Sequence, residues 1–338
     1  MTHPATLESP RKRSRAGQPT GQIMHAAAID RFGPASVLKV RSMPAPSPGP
    51  NEILIAVHSA GVGIWDTEIR HGWWPEGKPK FPVVLGVDGA GVVVAKGSRV
   101  RRFSEGDLVW AYEFINPKGG FYSEYAAVDA RHAGLVPNNL DLLHAGASAA
   151  TGLTALQGIQ DHLRARSGET VAVFGASGAV GSLAIQFAKL QGARVIGLAR
   201  GHAAVALVRR LGADVAIDTA GDDFIGRLIE AAPEGIDGLL ALAGGDALEA
   251  CLDLACDGGR VVHPNGVEPA PRHRRNLRIK SYDAKAGPRQ FDALKAAAEA
   301  CDLRVALGGV FPLDQASKAH EELERGQVLG RVALKIRR

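Results

Sequence analysis

A glycine-rich turn between two apolar segments is the feature of this chain that most clearly points to chemistry. Residues 175–181 read GASGAVG, after the strand-like segment TVAVF at 170–174 and before the helix-like segment SLAIQFAKLQ at 182–191. Glycines in such a turn let backbone amides approach a pyrophosphate, and the N-terminus of the helix offers unpaired N–H groups to it. The turn therefore predicts dinucleotide binding, with a merely structural turn as the alternative. The residues predicted to touch the dinucleotide are Ser177, Gly178, Ala179, Val180 and Gly181.

The segments around the turn supply the context that a glycine pattern needs. The first position of the GxGxxG pattern is Ala176, so the pattern alone is weak. Apolar strand-like segments recur, with helix-like segments between them, at 194–198, 214–218, 236–242, 259–263 and 276–282. This alternation predicts an α/β fold with a doubly wound parallel sheet. Because ligands bind at the carboxyl ends of such strands, Gly244 and Asn265 are predicted to wall the cofactor site.

The residue that ends the second strand bears on which dinucleotide binds. Proteins that bind NAD place an Asp or Glu there, about 20 residues beyond the glycines, to accept hydrogen bonds from the ribose. Arg200 stands 19 residues beyond Gly181. A guanidinium cannot accept those bonds, but it pairs in bidentate fashion with a 2′-phosphate. We therefore expect NADP(H), with His202 and Arg209 as auxiliary contacts, and keep a solvated surface charge as the alternative for Arg200.

The composition is that of a globular α/β protein long enough for two domains. No stretch approaches the roughly 18 apolar residues that span a bilayer. The three cysteines form neither a disulfide framework nor a metal-binding pattern. The expectation is a cytoplasmic protein with no membrane partner.

Positive charge is concentrated near the start of the sequence. Residues 1–23 contain four basic residues and one acidic residue, and so carry +3 of the net charge of +5. That stretch is rich in Pro, Ser and Gly, and it is predicted to be a disordered basic tail. A second basic run, RHRRNLRIK at 272–280, is predicted to edge the cofactor domain. We expect no nucleic-acid partner.

Several ordered segments together resemble one protein family. From Met24 onward, short β segments alternate with turn residues before the cofactor domain begins. With the glycine-rich turn, they resemble the medium-chain dehydrogenase/reductase superfamily, in its zinc-independent quinone oxidoreductase and enoyl reductase branch. The segments that carry the resemblance are 86–97, 106–111, 119–128, 148–156, 175–189 and 330–336.

The resemblance implies a GroES-like, β-rich catalytic domain and a Rossmann cofactor domain, with the active site in the cleft between them. The catalytic domain is expected at 24–146, the Rossmann domain at 147–285, and a return segment that completes the catalytic domain at 286–338. A homodimer through an edge strand of the cofactor sheet is also expected.

The resemblance further implies a site without a metal. Zinc-dependent relatives hold the ion at positions that match Gly63, Val87 and about Ala147, and none of these side chains can bind zinc. Without a Lewis acid, alcohol oxidation loses its means of stabilising an alkoxide. Conjugate reduction remains possible, because the charge left by an added hydride spreads onto oxygen. The expected substrate is a quinone or an α,β-unsaturated carbonyl compound.

The substrate pocket is expected at residues 62–77, with the nicotinamide beside Thr151 and Thr154. The catalytic residues predicted there are Asp66, which agrees with the family's pattern, His71, a conceivable proton donor, and Trp74, which could stack on a flat substrate. Three alternatives stay open: a solvated His71, a tryptophan that plugs the domain interface, and threonines that cap their helix.

Two other functions also stay open. A CoA- or carrier-linked enoyl reductase would use the basic run at 272–280. The second is a non-catalytic protein that binds NADPH. Relatives commonly carry Asn where this chain has Gly63, and tyrosines near Glu68 and Trp74, so a loss of catalysis would explain these three differences. Turnover with NADPH discriminates between an enzyme and a binding protein.

Overall fold

A computed structural model of the chain describes residues 22–75, 77–221 and 223–337. The predicted disordered tail therefore lies outside the described residues, apart from its last two positions. Of these, Ile23 begins the first strand. No helix in the described part of the chain is long and apolar enough to cross a membrane.

The first part of the chain is rich in short strands. Its strands are β1 (Ile23–Ile29), β2 (Lys39–Pro44), β3 (Glu52–Val62), β4 (Val83–Val84), β5 (Asp88–Lys96), β6 (Leu108–Tyr112), β7 (Tyr125–Asp129) and β8 (Ala133–Leu135). Its helices are α1 (Ile64–His71) and α2 (Leu142–Gly146). Strands β2, β1 and β4 form a small sheet, whereas the others belong to a seven-stranded sheet around β3 and β5.

Strands β3 and β5 pair closely because glycine replaces larger residues between them. A Cβ added at Gly91 would lie 2.1 Å from the Ala56 carbonyl oxygen, so no side chain fits there. This close approach is what the repeated glycines of 86–97 predict.

The middle of the chain forms a six-stranded parallel sheet covered by helices. Its strands are β9 (Thr170–Phe174), β10 (Arg194–Ala199), β11 (Val215–Asp218), β12 (Ile236–Ala241), β13 (Ala255–Pro264) and β14 (Arg278–Tyr282). Its helices are α3 (Ala149–Gln157), α4 (Gly181–Leu190), α5 (His202–Arg210), α6 (Phe224–Ala231), α7 (Asp246–Leu252) and α8 (Pro288–Ala300). The strand order is β11-β10-β9-β12-β13-β14, which confirms the doubly wound α/β prediction.

Strand β9 shows why these strands are apolar along their whole length. Val171 and Val173 pack into the apolar cluster on one face of the sheet, whereas Ala172 and Phe174 pack into the cluster on the other face. A strand covered by helices on both faces has no solvent side, so the sequence shows a continuous apolar run.

The end of the chain returns to the first sheet. It contains β15 (Leu307–Pro312), α9 (Ala316–Glu324) and β16 (Arg331–Lys335), and β16 pairs antiparallel with β3. Strand β16 thus completes the seven-stranded sheet around β3 and β5, which we call the catalytic sheet. Helix α8 lies between the two sheets. Its Phe291 packs in one apolar cluster with Trp110 of β6 and with residues of the cofactor domain. The exact boundaries of the domains stay a prediction.

Candidate functional site

The glycine-rich turn connects β9 to α4 with a geometry that suits a phosphate group. Gly175 has φ +82°, and its carbonyl oxygen accepts a hydrogen bond of 3.1 Å from Gly178 N. A Cβ added at Gly181 would lie 2.3 Å from that oxygen, whereas one at Gly178 would meet only the same oxygen, at 3.4 Å. Gly181 therefore permits the packing of the turn, and Gly178 leaves open space beside the start of α4. A pyrophosphate fits this arrangement.

The turn lies where the strand order of the sheet reverses. Strand β9 stands between β10 and β12, and a Cβ added at Gly175 would lie 3.2 Å from Leu242 Cβ, just beyond β12. Nucleotides bind at this switch point in open α/β sheets. Of the two predicted wall residues, Gly244 packs under the Pro269 backbone, and Asn265 Nδ2 donates to Asp283 Oδ2 at 2.7 Å. Both follow the carboxyl ends of their strands, as predicted.

Thr151 and Thr154 lie in the first two turns of α3. Their hydroxyls donate to backbone carbonyls one turn earlier, to Ala147 at 3.5 Å and to Ala150 at 2.9 Å. These bonds use the hydroxyl protons within the helix and leave the oxygen lone pairs free. Contact with the nicotinamide stays a prediction.

Arg200 directly follows β10 and is exposed. No described residue accepts a hydrogen bond from its guanidinium, so its donors are available to a ligand. Asp218, at the end of the neighbouring β11, was not predicted to be part of the site. Its Oδ1 accepts hydrogen bonds from Gly201 N at 2.8 Å and from Ala220 N at 2.9 Å. These backbone N–H groups lower the pKa of Asp218 and hold the loop that carries Arg200 and His202.

Asp66 is completely buried in the first turn of α1. Its carboxylate accepts from Gly63 N at 2.9 Å and from Gly86 N and Val87 N, both at 3.1 Å. Burial raises the pKa of Asp66 to about 7, against the opposing effects of Arg331 and the backbone N–H groups. These contacts join the start of α1 to the segment before β5, and a catalytic role for Asp66 stays a prediction.

The other two predicted catalytic residues form no hydrogen bond or ion pair with Asp66 among the described residues. His71 ends α1, is half exposed, and has its Nε2 3.3 Å from a carboxylate oxygen of Glu324. Trp74 packs against the apolar core of the catalytic domain, beside Ile69 and Val84. Substrate contacts by His71 and Trp74 stay predictions.

Trp65 and Phe114, which were not predicted as site residues, form an aromatic cluster with Trp73 at α1. The rings of Trp65, Trp73 and Phe114 have centroids 5.1 to 5.6 Å apart. Trp65 also reaches the cofactor domain, because a Cβ added at Gly266 would lie 3.7 Å from its Cη2. At Trp65 the cluster therefore meets the cofactor domain. Aromatic surfaces of this kind suit flat substrates.

A buried ion pair lies next to the glycine-rich turn and was also missed. Arg331 Nη2 donates to Asp88 Oδ1 at 2.9 Å, and Asp88 Oδ2 accepts from Ala150 N at 2.9 Å. The residue before Arg331 contacts the turn itself, since Gly330 N donates to the Ser177 carbonyl at 2.8 Å. The pair therefore lies where the catalytic sheet, α3 and the cofactor turn meet.

The positions that match zinc ligands in metal-dependent relatives carry no ligand side chains. Gly63 N and Val87 N both donate to Asp66, so these two positions lie close together. Neither has a side chain that can bind a metal ion. Within residues 22–75, 77–221 and 223–337, no group of three or more His, Cys, Asp or Glu side chains could hold a metal ion.

Helix α1 is fixed to α9 by a buried histidine. His320 Nε2 lies 3.2 Å from the Tyr122 hydroxyl, and its Nδ1 accepts from Arg70 Nε at 3.3 Å. Burial lowers the pKa of His320 to about 3, and the charge of Arg70 adds to this shift. The native state therefore holds this imidazole neutral.

The low pKa of His320 predicts a pH-dependent loss of stability. Between about pH 6.5 and about 3 the unfolded chain binds a proton that the folded chain does not, so the free energy of unfolding falls as the pH falls. This residue contributes a slope of up to about 1.4 kcal/mol per pH unit. We expect His320→Gln to lose that slope, measured by urea unfolding of both proteins at several pH values. Parallel pH dependences of the two proteins would contradict the assignment.

Comparison with known proteins gives consistent results. The chain matches the model of the alcohol dehydrogenase GroES-like domain over residues 49–138 and that of the zinc-binding dehydrogenase over residues 179–269. It is 32% identical to a quinone oxidoreductase of Sus scrofa over 317 residues, which cover 90% of this chain and 95% of the relative.

Two solved structures extend the comparison. A protein described as an NAD-dependent alcohol dehydrogenase superposes with a TM-score of 0.85 at 30% identity, over 93% of this chain and all of the other. A mycobacterial protein complexed with NADPH superposes with a TM-score of 0.80 at 27% identity, again over 93% of this chain and all of the other. The two neighbours thus differ in the dinucleotide named for them.

Proposed function

Because the chain belongs to the medium-chain dehydrogenase/reductase superfamily, in its quinone oxidoreductase branch, we propose that it reduces quinones or α,β-unsaturated carbonyl compounds with NADPH and without zinc. Its class, an oxidoreductase, follows from that membership. The observation that carries the finer proposal is the contact of Gly330 N with the Ser177 carbonyl. It joins the cofactor turn to β16, whose first residue, Arg331, lies against Gly63, a position without a metal-binding side chain.

The residues present fit a dinucleotide. The open space at Gly178 and the N-terminus of α4 would hold the pyrophosphate, and Arg200 would hold a 2′-phosphate. When bound, the reduced nicotinamide supplies a hydride. Thr151 and Thr154, in α3, would lie beside the carboxamide.

The chain's own residues would orient the substrate and exclude water. The cluster of Trp65, Trp73 and Phe114 offers ring faces and edges against which a flat quinone or enone can lie. The contact of Trp65 with Gly266 closes one side of the cleft. Holding two flat molecules face to face in a dry site supplies most of what conjugate reduction needs.

The cofactor preference is tested by Arg200→Ala. We expect the Kd for NADPH to rise about tenfold or more while the Kd for NADH stays unchanged, because a charge-assisted bidentate pair is lost only from the phosphorylated ligand. Fluorescence titration with both dinucleotides measures this. The matched control is Arg210→Ala, which removes a second exposed arginine at the far end of α5. Equal weakening by both variants, or a native preference for NADH, would contradict the proposal.

Substrate class is tested by NADPH oxidation with a panel of quinones, simple enones and enoyl thioesters. Turnover of quinones or enones supports the proposal, and turnover of enoyl-CoA alone would favour the carrier-linked alternative. The basic run at 272–280 gives that alternative limited support, since Arg274 already pairs with Glu249 and Asp253. Binding of NADPH without any turnover would show a non-catalytic binding protein.

We also propose a homodimer formed through β14. This strand ends the order of the six-stranded sheet, so one of its edges has no strand partner within that sheet. Unpaired strand edges are ready to pair with a second chain. Light scattering should give twice the chain mass, and a monomer would contradict this arrangement.

A further inference from the structure

Arg331 is a buried cation with hydrogen-bonding capacity that the protein leaves unused. Its side chain is 9% exposed, and it donates through Nη2 to the fully buried Asp88. Its Nε is buried without a hydrogen-bond partner, and no described residue accepts from Nη1. A buried guanidinium normally has all its donors satisfied. Because Nε has no accessible surface, Nη1 is the donor that remains for a ligand.

Two glycines make room for this guanidinium at the start of α1. A Cβ added at Gly63 would lie 2.6 Å from Arg331 Nη1, and one added at Gly61 would lie 2.6 Å from Nη2. The charged group thus occupies the space that side chains at these positions would fill. Gly63 also matches a position from which metal-dependent relatives hold their zinc. A fixed positive charge stands there in this chain.

The place of Arg331 is fixed from two sides. Asp88 holds Nη2 from the catalytic sheet, and the preceding Gly330 is bound to Ser177 of the cofactor turn. Trp65, two residues beyond Gly63, meets the cofactor domain at Gly266. The guanidinium therefore lies where the catalytic sheet, α1 and the cofactor turn meet.

We propose that Arg331 is a catalytic residue that holds the negative charge developing on the carbonyl oxygen of the substrate. This inference rests on the proposed reductase function. A hydride adds with its electron pair to the β-carbon of the enone, and the C=C pair moves to form the enolate, whose oxygen takes the charge. A proton from water then completes the C–H bond at the α-carbon. With a quinone the hydride adds with its electron pair to one carbonyl oxygen, the ring becomes aromatic, and the other oxygen takes the charge as a phenolate, which then accepts a proton from water.

An anion that mimics the charged product tests this without turnover. At a pH below the pKa of free 4-nitrophenol, the wild type should bind the probe as its yellow anion, and so should Arg331→Lys. Removal of Arg331 alone would leave Asp88 charged and unpaired in the core, so the test variant is Asp88→Asn/Arg331→Met, with its fold checked by circular dichroism. The ionisable groups near the guanidinium are Asp66, Asp88 and Tyr122.

The expected result is an anion absorption band with the wild type that the double variant does not produce. Arg260→Met serves as the control, because this arginine is paired with Glu169 near the amino ends of the cofactor strands. The absence of the band in the wild type, or an equal band in the double variant, would overturn the proposal.

Kinetics separate the role of Arg331 from a general structural one. We expect the double variant to lose kcat about 10²- to 10³-fold with enones, the range seen when one oxyanion donor is removed. The loss should be smaller with quinones, because a phenolate needs less stabilisation than an enolate. A uniform loss over both substrate classes would overturn the role of Arg331. An inactive wild type would overturn the proposed reductase function instead, and the absorption band would then still decide whether Arg331 binds oxyanions.

Discussion

Replacement of Gly178 by valine should abolish dinucleotide binding and leave the fold intact. A Cβ at this position meets only the Gly175 carbonyl oxygen, at 3.4 Å, so the protein itself has room for a side chain. The ligand does not, because the added methyl groups occupy the space in which a pyrophosphate approaches the backbone amides. We expect the Kd for NADPH to rise about 100-fold or more, equivalent to about 2.7 kcal/mol.

Gly181→Val in the same turn supplies the contrast. Its Cβ would lie 2.3 Å from the Gly175 carbonyl oxygen and 2.7 Å from Ala176 Cα, both of which are backbone atoms that cannot move aside. This variant should lower the melting temperature, whereas Gly178→Val should not. Fluorescence titration and thermal melting of both proteins measure the two effects. Normal NADPH binding by Gly178→Val would place the pyrophosphate elsewhere.

The cofactor domain was predictable because its signals are local. The segment 170–174 is β9 as predicted, and the predicted helix at 182–191 is α4 at Gly181–Leu190. A strand buried on both faces must be apolar throughout, and a turn that holds a helix N-terminus against a strand must carry glycine. The start of β13 at Ala255 was not predictable, because CDGG does not read as a strand and pairing with neighbours decides it.

The site was less predictable because it is assembled from distant parts of the chain. Arg331 and Asp88 are 243 residues apart, and no spacing rule connects them. Asp66 has the residue type of an acid or base, yet its place at the start of α1 uses both oxygens for backbone N–H groups. Side-chain direction is set by tertiary packing, which residue type and spacing do not determine.

The same packing links α1 to the rest of the catalytic domain. Arg70 is completely buried, donates to the Gly33 carbonyl at 2.8 Å and to His320 Nδ1 at 3.3 Å, and pairs with Glu324. It thus joins α1 to α9 and to the loop after β1. The end of α1 is therefore fixed to two other segments of the catalytic domain by one buried side chain.

Arg70→Met should therefore lower the free energy of unfolding by about 1 to 3 kcal/mol, because the Gly33 carbonyl and His320 Nδ1 lose a buried charged donor while Glu324, which is one-third exposed, stays solvated. The matched control is Arg325→Met. Arg325 lies just beyond the end of α9 and forms a surface ion pair with Glu322, so its replacement should lower the free energy of unfolding by no more than about 1 kcal/mol. Urea unfolding of the three proteins at neutral pH measures the differences. Equal costs for the two substitutions would show that α1 is held by its apolar face alone, through Ile69, rather than by the buried guanidinium of Arg70.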